Sequence, residues 1–156
     1  MALITIVAAL ISLLIRFEHE LQILEGSPSI SALPEEWRRP YTPDLGITPP
    51  DDKDGVLQDM HWYSYIIGGA FQGYTIGNIL STQFFAAAQK SHPEIPVQIA
   101  SGDISVLHTW LKTNLYQRGA KFTANELAER ATGSPMSISP YIDYLKKKYG
   151  AIYQLS

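Results

Sequence analysis

Residues 102–133 read GDISVLHTWLKTNLYQRGAKFTANELAERATG, and helix start and stop signals occur twice within this stretch. Gly102-Asp103 predicts a helix that has the Asp as N-cap and continues to Arg118-Gly119, because a short acidic side chain accepts from unpaired backbone N–H groups. Thr123-Ala-Asn-Glu126 has the form of a capping box, and Gly133 follows the helix that it starts. The stretch therefore predicts two consecutive capped helices.

Helical signals continue on both sides of this stretch. Residues 74–90 are densely apolar, with small residues that allow close helix packing, and Ser139-Pro140 predicts a last helix with Pro in its first turn. A short helix is predicted over 31–37, with Ser31 as N-cap and Pro40 as its end. No stretch alternates with period two for long, so the predicted fold class is all-α, a compact helical domain.

The composition favours one folded domain over residues 1–156, since 46% of the chain is hydrophobic and 17% is charged. The net charge of −3 argues against a nucleic-acid partner, which usually requires a basic surface. The chain has no Cys, which excludes disulfides, Cys-type zinc sites and thiol nucleophiles. A reducing compartment is therefore expected, and we predict a cytoplasmic location.

Residues 1–15 (MALITIVAALISLLI) form an uncharged apolar start that Arg16 brings to an end. A membrane-spanning helix needs about 20 apolar residues and a signal peptide needs a positive start, so neither fits. Apolar residues then recur at close to helical spacing as far as Leu24, which predicts one continuous helix from about residue 3 to 25 that ends at Gly26. A processed or membrane-associated segment and a wrongly assigned start are the alternatives.

Metal-ligating patterns are weak in this sequence. Its four histidines are scattered. His19-Glu20-Leu-Gln-Ile23 begins like the zinc-protease motif H-E-x-x-H, but Ile occupies the fifth position. That motif requires two His one helical turn apart, so we interpret the match as chance and predict no metal site in this chain.

Residues 55–63 (GVLQDMHWY) combine a carboxylate, an amide, an imidazole and two aromatic rings. A functional cluster and a buried polar network at a helix start are both open interpretations. The glycine-rich segment 68–73 follows, but it lacks the Lys-Ser/Thr pair of a phosphate-binding loop. Its glycines are therefore expected to permit close packing.

GVLQDMHW at 55–62 matches the G-x-x-Q-D-x-H-W signature of the carboxypeptidase Taq family, the HExxH-type zinc metallocarboxypeptidases. The sequence resembles the C-terminal third of that family over residues 16–156, whereas residues 1–15 diverge. The other collinear segments that carry the resemblance are Arg16-Phe-Glu18, Leu24-Glu-Gly26, Leu33-Pro-Glu-Glu-Trp37, Gly73-Tyr-Thr-Ile-Gly-Asn78, Gln83-Phe-Phe85, Gly102-Asp103, Ala131-Thr-Gly-Ser-Pro135 and Ser139-Pro-Tyr141.

The resemblance implies a largely helical enzyme with a long groove for a peptide substrate, usually assembled as a homodimer. It places Gln58, Asp59, His61 and Trp62 along the cleft beside the metal. His61 would hydrogen-bond the substrate or the developing oxyanion, and Asp59 would orient a neighbour or stabilise a cation. Tyr74 is a weaker candidate for a substrate contact.

The departures from the family are equally informative. In the family, the HExxH helix, the Glu that completes the zinc site and an Arg motif for the substrate carboxylate lie upstream of this region. None occurs in this sequence, so we expect a truncated C-terminal fragment that binds no zinc and is inactive alone. Its partner would be a second copy or the upstream half of the enzyme. The alternative is a non-enzymatic protein-binding or oligomerisation module derived from that enzyme.

Overall fold

The computed structural model describes residues 2–58 and 70–154, with backbone alone for residues 2–10 and 70. These residues form helices and connecting turns, and no strand occurs among them, which confirms the all-α prediction. The helices are α1 (Ala2–Leu24), α2 (Leu33–Leu45), α3 (Ala70–Ser91), α4 (Ile95–Ala100), α5 (Ser105–Asn114), α6 (Ala124–Thr132) and α7 (Ser139–Tyr153), with 3₁₀ turns at Ile30–Ala32 and Tyr116–Arg118.

The chain divides into two compact units, residues 1–76 and residues 77–156, and each is described by itself. The single domain expected from the composition stays a prediction. In the first unit, α1 has nearly the predicted bounds and is followed by Gly26, whose φ of +82° is the left-handed conformation that glycine adopts without strain. Within the part of the chain that the structure describes, no helix is long and apolar enough to cross a membrane.

The prediction for α2 was wrong at both ends. Ser31 lies inside the first 3₁₀ turn and caps nothing, and the helix continues through Pro40 as far as Leu45. The helix contains two prolines in its interior, Pro40 and Pro43, and each costs about 3 kcal/mol. The aromatic residues Trp37 and Tyr41 offset this cost, because both are buried in one cluster with Ile15 of α1, and each large apolar side chain contributes about 1.5–3 kcal/mol.

The second unit has a core built from one or two side chains of each of four helices. Its buried members are Phe84 and Ala88 of α3, Ile95 of α4, Trp110 of α5 and Ala128 of α6. The short helix α4 was not predicted, because its six residues lie between turn signals and carry too little periodicity to be distinguished from a loop.

Local capping chemistry was predicted well in this unit. The Thr123 hydroxyl accepts from the backbone N–H of Glu126, and the Glu126 carboxylate accepts from the Thr123 N–H at 2.9 Å, which confirms the capping box. Gly133 ends α6 with a φ of +82°. The prediction for α5 was wrong at both ends: Ile104 rather than Asp103 is the N-cap, and the helix ends at Asn114, before a separate 3₁₀ turn over Tyr116–Arg118. Asp103 accepts instead from the Ser105 N–H at 2.8 Å.

Candidate functional site

The predicted site residues are only partly covered by the structure. Asp59, His61 and Trp62 lie outside the described residues. Gln58 is exposed at the end of a series of turns, and Tyr74 is about half-exposed on α3. Both belong to the first unit, but the structure does not test the cleft roles that the resemblance implies for these five residues.

Residues 50–58, which lead into and begin the signature, form a loop of consecutive turns. Its turns are closed by backbone hydrogen bonds, among them Leu57 N–H to the Asp52 carbonyl at 2.9 Å and Gln58 N–H to the Gly55 carbonyl at 3.2 Å. Arg38 of α2 donates to the Asp52 carboxylate, which ties the loop to that helix. The loop therefore leads into the signature from a fixed position.

Gly55, the first residue of the signature, is buried because the chain passes very close to it. A Cβ at this position would lie 2.9 Å from the backbone oxygen of Asp51 and 3.3 Å from the Cβ of Pro49. No side chain larger than hydrogen fits here without a shift of the backbone. Steric hindrance therefore explains why glycine occupies the first position of G-x-x-Q-D-x-H-W in this chain.

A half-buried to buried polar cluster on α1 lies in the same unit. The Arg16 guanidinium carbon is 5.4 Å from the centroid of the Trp37 ring and 5.8 Å from that of Phe71, which are cation–π distances. Arg16 also donates to the Ser12 hydroxyl, which lies 3.2 Å from the Tyr41 hydroxyl. Positive charge is therefore held against aromatic rings inside the unit.

His19 and Glu20 complete the buried polar face of α1, at 5% and 6% exposure. Neither ring nitrogen of His19 has a hydrogen bond of normal geometry to a described side chain. Burial lowers the pKa of His19 below its usual value, although Gln22, Glu36 and Glu18 act in the opposite direction. The imidazole is therefore neutral at pH 7.

Sequence reasoning set this cluster aside as a chance match to a zinc motif. The signal that could have found it is the spacing of these polar residues along a predominantly apolar helix. Arg16 follows Ser12 by four positions, and His19 and Glu20 follow Arg16 by three and four, which places all four residues on one face. A polar stripe of that kind on an apolar helix indicates a buried network.

Two segments that carry the family resemblance meet in the second unit. The amide nitrogen of Gln83, a buried residue of α3, donates to the Pro135 carbonyl at 2.9 Å and to the hydroxyls of Thr132 and Ser134 at 3.1 and 3.2 Å. Its amide oxygen accepts from the Ser137 N–H at 2.9 Å. Gln83 therefore fixes the loop between α6 and α7.

The model of one family, "Carboxypeptidase Taq (M32) metallopeptidase", matches residues 10–149. The chain belongs to this family. Its match extends across both units and includes the GVLQDMHW signature, the Gly55 loop and the Gln83 network. Family membership therefore rests on most of the chain rather than on one short motif.

Relatives of the M32 family agree with this assignment. The chain is 38% identical to thermostable carboxypeptidase 1 of Thermus thermophilus over 90% of its length and 31% identical to carboxypeptidase 1 of Bacillus subtilis over 92%. The crystal structure of the Deinococcus radiodurans M32 carboxypeptidase is similar with a TM-score of 0.86, at 46% identity over 92% of this chain and 29% of that one. The chain spans 28% of the length of the two curated relatives.

The family is one of metallopeptidases, whose activity requires a bound metal ion. No group of three or more His, Asp or Glu side chains within residues 2–58 and 70–154 is arranged to hold one. His19 and Glu20 are buried neighbours, but Ile23 occupies the place where H-E-x-x-H has its second ligand. The residues that the structure describes do not fit a zinc site.

Proposed function

We propose that this chain forms the C-terminal part of a zinc-dependent metallocarboxypeptidase that removes C-terminal amino acids from peptides. The observation that carries the proposal is the family match over residues 10–149, with the whole signature inside it. The chain spans 28% of the length of the curated relatives, so the proposal assigns it only this part of the enzyme. The expected location is the cytoplasm.

In this proposal, Gln58, Asp59, His61 and Trp62 line the substrate cleft beside the metal. The imidazole of His61 donates a hydrogen bond to the substrate carbonyl as it becomes an oxyanion, a contact that strengthens in the transition state. Asp59 orients a neighbouring group, and Tyr74 contacts the substrate. The steric requirement at Gly55 and the ion pair of Arg38 with Asp52 support this role, because they fix the loop that leads into the signature.

The isolated chain is proposed to be inactive. A catalytic zinc requires three protein ligands and a bound water, and the sequence has neither Cys nor two His one helical turn apart. Activity would therefore require the upstream part of an M32 enzyme, in a complex that pairs the two halves or also contains a second copy of this chain.

Complementation tests the proposal. The chain is co-expressed with the Thermus thermophilus relative from which the segment matched here has been deleted. We expect zinc-dependent release of C-terminal amino acids from a peptide by the purified pair and by neither part alone. A Gly55→Arg variant, which places a large side chain at the first position of the signature where none fits, is the matched negative control. A purified pair that assembles and releases no amino acid would contradict the enzymatic proposal.

The second candidate function is a non-enzymatic binding or oligomerisation module. Exposed apolar side chains favour it, since Val97 is 74% exposed and Ile104 is 62% exposed in the second unit. Surfaces of this kind associate when several such residues adjoin. Light scattering separates the candidates: a stable assembly of the chain with itself, together with failure of complementation, would favour the module.

A further inference from the structure

An open groove of about 930 Å³ lies between α3 and α7, wholly inside the second unit. Phe85 and Ala86 line it from α3, and Tyr144 and Ala151 line it from α7. Phe85 is 36% exposed and Tyr144 is 45% exposed, so two aromatic side chains face an unfilled space. Neither Gln58 nor Tyr74, the two proposed cleft residues that the structure describes, is among the residues that line this groove.

The α7 wall of the groove is positively charged. Lys147 and Lys148 line it together with one acidic residue, Asp143. The Lys148 ammonium donates to the Tyr144 hydroxyl at 2.9 Å and lies 5.3 Å from the centroid of that ring, so its charge is held beside the apolar wall. Lys147 forms no ion pair with any residue in the described ranges 2–58 and 70–154.

Helix α7 has two different faces. Tyr141 and Tyr149 are buried, which fixes one face in the fold of the unit. Tyr144, Lys147, Lys148 and Ala151 are exposed, and both lysines lie three or four positions from Tyr144 and from Ala151, so the four residues form a continuous second face. An amphipathic helix buries apolar residues in such a groove at intervals of three or four, and acidic residues along its edge suit lysines on the wall.

We infer that the α3–α7 groove binds an amphipathic helix with acidic residues beside its apolar stripe, and that this helix belongs to the part of an M32 enzyme outside the matched segment. The inference rests on the proposed function. Two observations select this occupant: the positive charge of Lys147, which has no ion pair among the described residues, and the relatives' length, of which this chain spans 28%. Most of the enzyme's polypeptide is therefore available to cover the groove.

Charge reversal and groove filling test the inference in the co-expressed pair. We expect K147E/K148E and A86R/A151R to lower the amount of Thermus polypeptide recovered with the tagged chain by about tenfold or more. The matched controls are K146E, on the same helix but outside the groove, and A120R, at an exposed alanine elsewhere. Both controls should leave recovery unchanged, and all variants should keep the helical circular dichroism of the unaltered chain.

Photo-crosslinking identifies the occupant. A benzophenone amino acid at position 144 should crosslink to an upstream peptide that contains Asp or Glu, whereas the same group at exposed Tyr116 should not. Full recovery with both groove variants, or a crosslink to a second copy of this chain, would overturn the inference and leave the proposed function standing. Failure of the unaltered chain to recover any Thermus polypeptide would overturn both.

Discussion

The imidazole of His19 stacks on the indole of Trp37, with ring centroids 5.8 Å apart and planes inclined by 23°. Trp37 stacks in turn on Tyr41 at 4.8 Å, so three rings from α1 and α2 form one continuous stack. His19 supplies the imidazole of this stack, a group whose ordinary pKa lies near neutral and is lowered here by burial. The stability of the contact between α1 and α2 should therefore depend on pH in the acidic range.

Stability should fall as the pH is lowered through about 6.5. Burial lowers the pKa of His19 in the folded protein. When the pH falls below the usual pKa of histidine, the unfolded chain therefore binds a proton at His19 more readily than the folded chain does. The contribution of His19 to the free energy of unfolding is fully present above the usual pKa. It decreases as the pH falls towards the lowered pKa, with a slope of at most about 1.4 kcal/mol per pH unit. Urea unfolding between pH 8 and pH 5 measures it.

The control for this prediction replaces the titrating ring by one that does not titrate. H19F should remove most of the slope between pH 7 and pH 5.5, because phenylalanine keeps the contact with Trp37 and takes up no proton. H108F, at an exposed position, should leave the slope nearly unchanged. An H19F protein with an unaltered pH profile would contradict the assignment of the slope to this residue.

Gln83 should be a major stabilising residue of the second unit. Its side chain is 4% exposed, donates to the Pro135 carbonyl and accepts from the Ser137 N–H. Q83A leaves these backbone groups without their partner, and an unsatisfied buried polar group costs about 1–3 kcal/mol. We expect a loss of about 2–3 kcal/mol in the free energy of unfolding, measured by urea denaturation.

Gln89 offers a matched control on the same helix, since its side chain makes no hydrogen bond to a described residue. Q89A should change the free energy of unfolding by less than about 0.5 kcal/mol. Q83E distinguishes hydrogen bonding from side-chain volume, because a carboxylate keeps the shape but donates nothing to the Pro135 carbonyl. Equal stability of Q83E and the unaltered chain would contradict the proposed role of the amide nitrogen.

Replacement of two glycines by alanine should change the stability in opposite directions: G55A should lower it and G77A should raise it. G55A places a methyl group 2.9 Å from the Asp51 carbonyl oxygen, so the loop must shift, at a cost of about 1–3 kcal/mol. G77A in α3 meets no described atom within 4 Å, and alanine is favoured over glycine inside a helix by about 0.5–1 kcal/mol. Thermal unfolding of both variants checks the pair, and destabilisation by G77A equal to that by G55A would contradict the steric explanation.

The sequence predicted helix ends well where one side chain or one glycine determines them. The Thr123–Glu126 capping box and Gly133 depend on atoms within a few residues of one another, so their pattern is visible in the sequence. Pro40 shows the limit of such reasoning. Its local effect predicts a helix end, but the burial of Trp37 and Tyr41 beside Ile15 is a tertiary contribution that no local pattern contains.

The candidate site was less predictable than the fold. The Gln83 network joins residues 49–54 positions apart, and the sequence gives no sign that this amide bonds to that loop. The polar stripe on α1 is visible in the sequence. Its partial match to H-E-x-x-H, however, led to an interpretation in terms of metal binding rather than of a buried polar network. The cleft roles of Asp59, His61 and Trp62 lie outside the described residues and stay predictions.

The final prediction concerns metal and His61. We expect the purified chain to hold no stoichiometric zinc, because its sequence lacks the paired His ligands, and elemental analysis measures this directly. One tightly held zinc per chain would contradict the prediction. In the complemented pair, zinc should be present, and its removal by a chelator should abolish peptide hydrolysis.

In that pair, H61A should lower kcat by about 10²–10³-fold with little change in KM, since a donor to the oxyanion acts mainly in the transition state. H61Q should recover part of the activity, because an amide N–H can still donate. H108A, at an exposed histidine of the second unit, is the matched control and should keep full activity. If His61 serves only the packing of the chain, H61A will instead lower the recovery of the pair and its thermal stability while kcat per assembled complex stays unchanged.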